Sequence, residues 1–107
     1  MFVDQEGLPP DFSATAAVTD DRALVTVTGE VDMSTADAMF RAATKDDAAA
    51  ATLDLRGVTF FDSAAIHALL QLAESYRERL RVLPSAQVRR VLEISGLSGQ
   101  PWLITEG

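Results

Sequence analysis

Apolar and polar positions alternate with period two at the start of the chain. Phe12, Ala14, Ala16 and Val18 are interleaved with Ser13, Thr15 and Ala17, which predicts a half-buried strand. Thr19 to Arg22, "TDDR", supplies turn chemistry, and "ALVTVTG" follows, rich in β-branched residues and closed by Gly29. Two such runs joined by a short acidic turn predict a β-hairpin. The period then changes. Ser34 is placed as a helix N-cap, with Asp37 three residues on as in a capping box. Ala36, Met39, Phe40 and Ala43 repeat at helical spacing. "DDAAAA" reads as a frayed end or linker, and "ATLDLRGV" as a third strand. Ile66, Leu69, Leu70, Ala73 and Tyr76 mark a second helix with one apolar stripe. "LRVL" is a short strand. Ser85 caps a third helix, with Val88, Val91, Leu92 and Leu97 on one side and Arg89, Arg90 and Glu93 on the other. Gly96 stands where a helix stops. "PWLI" predicts an edge strand, because Pro101 cannot donate to a ladder.

Strands alternating with helices predict an α/β fold, a mixed central sheet with parallel pairs, an N-terminal hairpin and helices packed on it. Functional loops in such sheets lie beyond the carboxyl ends of the strands. Two qualify here, "GEVDMST" and "GVTFFDSAA". Both place an Asp before a hydroxyl residue at a helix start.

Composition narrows the classes. The chain of 107 residues is the size of one domain, and 48% hydrophobic content suits one modest core. Residues 1–11 read as a flexible arm and 12–107 as the domain. There is no cysteine, so disulfides and thiolate ligands are excluded. A net charge of −7 repels phosphate backbones and anionic membrane surfaces, which argues against nucleic acid as a partner. Arg77, Arg79, Arg81, Arg89 and Arg90 read as solvated helix faces. The N-terminus lacks the basic and apolar regions of a signal peptide, and no run is long enough to span a bilayer. A cytoplasmic protein with no direct membrane insertion is expected.

The candidate chemistry centres on Asp62 and Ser63. One of them caps the helix that follows, the commonest role for both types. A helix N-terminus also stabilises anions. A phosphate on Ser63 would bring about −1.5 to −2 charges there, opposed by Asp62. Ser63 and His67 are four apart, hence on one helix face. With no G-x-S-x-G elbow, and with Asp62 off that face, a hydrolase triad is set aside. His67 is the only histidine, so no multi-histidine metal site exists. Asp46 and Asp47 lack a third ligand. No Gly-rich phosphate loop is present. Neither cofactor nor metal is expected, and the chain reads as a binding module.

Three segments carry a resemblance to a known family. "LDLRGVTFFDSAAIHALL" is similar to the signature of the STAS domain family, typified by bacterial anti-sigma factor antagonists. "VTVTGEVDMSTADAM" resembles the family's Gly-Glu-apolar-Asp loop, and "LRVLPSAQVRRVLEISGL" its late strand, turn and helix. The match runs in order over residues 12–104. The resemblance implies a single STAS-like domain whose partner is an anti-sigma factor that is also a serine-kinase-like ATPase. It implies Ser63 as phospho-acceptor and a contact surface of Asp32, Met33, Ser34, Thr35, Asp62, Ala64, Ile66 and His67. Unphosphorylated, such a protein binds the anti-sigma factor and frees the sigma factor. The family's usual second Ser is Ala64 here, and its usual Gly is Ala65. The alternative is a non-phosphorylated accessory STAS subunit of a lipid or solute transport complex.

Overall fold

The hairpin forms because its two turn residues accept left-handed backbone. Asp20 and Asp21 have φ of 53° and 62°, the pair of positive values that a two-residue turn between twisted strands requires. Asp is among the few non-glycine residues that adopt them readily. The computed structural model describes residues 11–104. The arm expected over 1–11 lies outside the described residues, except for Asp11, whose carbonyl accepts from Glu30 N at 2.9 Å.

The elements are β1 (Phe12–Thr19), β2 (Arg22–Val31), α1 (Ala36–Thr44), β3 (Ala50–Phe61), α2 (Ser63–Tyr76), β4 (Leu80–Pro84) and α3 (Ala86–Ile94). A 3₁₀ turn, Arg77–Arg79, joins α2 to β4. The strands form one sheet in the order β1-β2-β3-β4. β1 and β2 are antiparallel, while β2, β3 and β4 run parallel. The expected α/β architecture with a mixed sheet is therefore what folds.

One side of the sheet is sealed. Val25, Leu53 and Val82 stand in register across three strands and are fully buried. α1 packs on β1 and β2, α2 on α1, β3 and β4, and α3 on β3 and β4. Met39, Leu69, Leu72, Val88 and Leu92 complete a single core. Burying a side chain of this size stabilises the fold by about 1.5–3 kcal/mol, so the parallel strands and their crossover helices are stabilised together. On β2 the intervening residues face outward, and Leu24 and Thr28 are exposed.

Several boundaries differ from expectation. β2 does not close at Gly29 but continues to Val31. Gly29 sits inside it at φ +89°, and an added Cβ would lie 1.5 Å from the Asp11 carbonyl oxygen. Only glycine allows β1 and β2 to approach there. β3 runs on to Phe61, absorbing two irregularities of register against β2. The buried stripe of α2 is Ala65, Ala68, Leu69, Leu72 and Tyr76, rotated about one position from the expected stripe, and Leu70 is exposed. The α1 N-cap is Thr35, not Ser34. "PWLI" makes one parallel bridge, Leu103 beside Val82, instead of a full edge strand. α3 matches expectation at both ends. Ser85 Oγ accepts from Val88 N at 3.1 Å, and Gly96 at φ +79° lets Leu97 N reach Leu92 O at 2.7 Å. No helix among the described residues is long and apolar enough to cross a membrane.

Candidate functional site

β2 and β3 are parallel neighbours and finish together, Val31 opposite Phe61. The two loops that follow them therefore emerge side by side. Asp62 N also donates to Val31 O, at 3.3 Å. The shared edge expected for the Asp32 and Ser63 loops thus follows from register alone.

The first loop is held by its own side chains. Asp32 Oδ1 accepts from Ser34 N at 2.9 Å and from Ser34 Oγ at 2.8 Å. Thr35 Oγ1 accepts from Asp32 N at 2.9 Å and donates to Glu30 O at 2.8 Å. The Asp32 carbonyl accepts from Thr35 N and Ala36 N, which starts α1. The Ser34 hydroxyl, then its backbone N–H, and then Thr35 hold the Asp32 carboxyl below the usual carboxylate range.

This corrects one expected contact. Thr35 is only 1% exposed, so it offers no surface to a partner. Its hydroxyl is turned back to the end of β2, where it fixes the loop. Ser34 is exposed, but its hydroxyl orients Asp32 instead of capping α1. Met33, between them, is 83% exposed. The hydrogen-bonded loop thus carries a projecting thioether.

The second loop resolves which residue caps. Asp62 is the N-cap, with its side chain accepting from Ala65 N at 3.1 Å. Ser63 is the first residue of α2 and is exposed. Among the described residues its hydroxyl has no hydrogen-bond partner. Ala65 is helical and fully buried. Its backbone needs no glycine there, and its methyl fills the start of the core. Because the Asp62 carboxylate is committed to the cap, the three groups do not assemble a Ser-His-Asp relay.

Two depressions meet at Met33. A shallow one is lined by Asp32, Met33, Ser34, Phe60 and Asp62. The other is a cleft of about 350 Å³ between α1 and α2, with Met33, Ala36, Asp37, Phe40, Ser63, Ala64 and His67 among its walls. His67 is exposed and Ile66 half-buried. Sequence reading missed Phe60, which is 44% exposed. Its signal was the doubled "FF" at the end of an extended strand. With Phe61 buried, the period of two turns Phe60 outward. The surface is thus apolar at Met33 and Phe60 and anionic at Asp32 and Asp62. Among the described residues no group of three His, Cys, Asp or Glu side chains is placed to hold a metal ion.

Comparisons with known proteins agree with this architecture. The family model for "Mlab, STAS domain" matches residues 14–105. An anti-sigma factor antagonist from Mycobacterium paratuberculosis superposes with a TM-score of 0.76 at 27% identity, covering 92% of this chain and 90% of that one. The anti-sigma factor antagonist SpoIIAA in its unphosphorylated form gives 0.67 at 22%, over 90% of this chain and 88% of that one. The Bacillus cell fate determinant SpoIIAA in its phosphorylated form gives 0.64 at 21%, over 90% and 91%. The SpoIIAA likenesses bear on fold alone. No curated protein matches the sequence.

Proposed function

The chain belongs to the STAS domain family, and from that premise we propose that it works as an anti-sigma factor antagonist. Its partner is an anti-sigma factor with a serine-kinase-like ATPase domain, and binding that factor releases the sigma factor to act in transcription. Structural similarity to an anti-sigma factor antagonist at 27% identity supports the general role.

One observation carries the reading. Ser63 stands exposed with an uncommitted hydroxyl at the mouth of a cleft, beside the 83% exposed Met33, while Asp62 performs the capping. The docking surface is Asp32, Met33, Ser34, Asp62, Ala64, Ile66 and His67, with Phe60 added and Thr35 acting from beneath. Met33 and Phe60 supply apolar area and the two carboxylates supply orientation. Phosphorylation transfers the γ-phosphoryl group of ATP to Ser63 Oγ. A bond forms from Oγ to phosphorus, the bond to the bridging oxygen breaks, ADP leaves and the hydroxyl proton is lost. The product carries about two negative charges beside Asp62 and Asp32. Burying that dianion under a partner without matched donors would cost several kcal/mol.

The test is partner binding and phosphate uptake in parallel. Ser63→Ala keeps affinity and takes up no phosphate from ATP. Ser63→Glu loses at least about tenfold in affinity, the equivalent of about 1.4 kcal/mol, while keeping its fold. Labelling that persists in Ser63→Ala would rule out this acceptor. The second reading is a non-phosphorylated accessory STAS subunit of a lipid or solute transport complex. It predicts a transport protein in a pull-down and equal binding by the Ala and Glu variants.

A further inference from the structure

Ser63 is followed four residues later on α2 by His67, and both line the cleft between α1 and α2. Such positions stand on one helix face, with Cβ atoms about 5–6 Å apart. Both side chains are exposed, so neither is held away by packing. The charged groups facing this cleft are few. From α1 it receives only Asp37, whose carboxylate is already paired with Arg41. The remaining walls are Met33, Ala36, Phe40, Ala64, Ala68 and the neutral Gln71. Asp62 lies at the helix start, its side chain engaged by Ala65 N. Among the described residues His67 is therefore the one group in the cleft able to carry positive charge.

We infer that His67, in its imidazolium form, is the intramolecular counter-ion of a phosphate on Ser63. The inference rests on Ser63 being the acceptor, and it adds a second layer of control. A seryl phosphate takes its second negative charge near pH 6, and a histidine loses its positive charge between about pH 5 and 8. The pair is strongest where the dianion and the imidazolium coexist, and it is lost where either charge is lost. As pH falls, the phosphate becomes a monoanion and the attraction weakens. The pair also draws the phosphate along the helix face, away from Asp62. The phosphorylated state is then stabilised within the chain itself, and its stability responds to pH.

The experiment installs phosphoserine at position 63 during synthesis, in the full chain, so that no kinase is needed. ³¹P NMR then follows the second ionisation of the phosphate. In the wild-type background the midpoint should fall lower, by about 0.5 pH or more, than in the His67→Gln background. His67→Lys, which keeps a cation at that position, should restore the low midpoint. Melting of the unphosphorylated chains should be the same for wild type and His67→Gln, since the residue is exposed. Equal midpoints in wild type and His67→Gln would overturn the pairing, as would a His67→Lys midpoint matching that of His67→Gln. Failure of the switch itself reads differently, as unchanged partner affinity in the phosphorylated chain.

Discussion

Where β2 and β3 finish, the loops are held by side chains: Asp32 by Ser34, Thr35 by Glu30 and Asp32, and Ala65 N by Asp62. Where β2, β3 and β4 begin, the chain turns largely through its backbone. All the non-glycine positive φ values among the described residues lie there, at Asp20 and Asp21 before β2, Asp47 before β3 and Arg77 before β4. Backbone strain of about 1–3 kcal/mol per residue is commonly stored at functional sites. Here it sits at the opposite end. A docking surface is better served by loops pre-ordered through satisfied hydrogen bonds, because less entropy is lost when a partner arrives. The far end has only to turn tightly, and Asp accepts the left-handed region at modest cost.

The largest expected effect breaks the side-chain side of this contrast. Thr35→Val keeps shape but removes the hydroxyl, leaving Asp32 N–H and Glu30 C=O without their partner in a partly buried place. Chemical denaturation should show a loss of about 2 kcal/mol. Partner binding should fall although Thr35 touches nothing outside the chain. An unchanged midpoint would mean that water replaces the hydroxyl and that the loop is not ordered from beneath.

A smaller effect tests the other end. Tyr76 Oη donates to Ala43 O at 2.7 Å. Burial pushes the phenol up, and Asp47 and then Asp46 add to the rise. A raised folded value favours the neutral form, so its contribution is complete below about pH 10 and is lost as pH rises through the folded value. Unfolding free energy should therefore decline above about pH 10 in wild type, and less in Tyr76→Phe. The variant should also lose about 1 kcal/mol at neutral pH for the missing hydrogen bond. Absorbance titration of this single tyrosine reads the shift directly.

The smallest effect has the opposite sign. Arg77 holds φ 58° with ψ −129°, a region that suits glycine. Arg77→Gly should raise stability by about 0.5–1 kcal/mol, seen as a higher melting temperature. The larger conformational entropy of glycine in the unfolded chain limits the gain. A decrease would show that the Arg77 side chain stabilises the turn by more than the strain costs.

Much of the molecule was legible along the chain. Strand–helix alternation, the two-residue acidic turn, the Ser85 cap and the Gly96 stop are local events, governed by φ preferences and short-range hydrogen bonds. The pairing of Asp with a hydroxyl residue after two successive strands likewise marked the candidate site. Tertiary packing decided the rest. The two strands outran their expected ends because Val31 and Phe61 find buried places in the sheet, a reward that no local propensity encodes. The α2 stripe rotated because Ala65, Ala68 and Leu72 face the core together with Leu69, and small residues are what such close packing admits. Sequence pattern offered Ser34 as the helix cap, and the family resemblance offered Thr35 as a contact. Only the three-dimensional closeness of Glu30 O drew Thr35 inward and left Met33 exposed. Phe60 became surface because its neighbour filled the core. What a residue presents to solvent is settled by which of its neighbours is buried, and burial is a property of the assembled sheet and helices, not of the chain read in order.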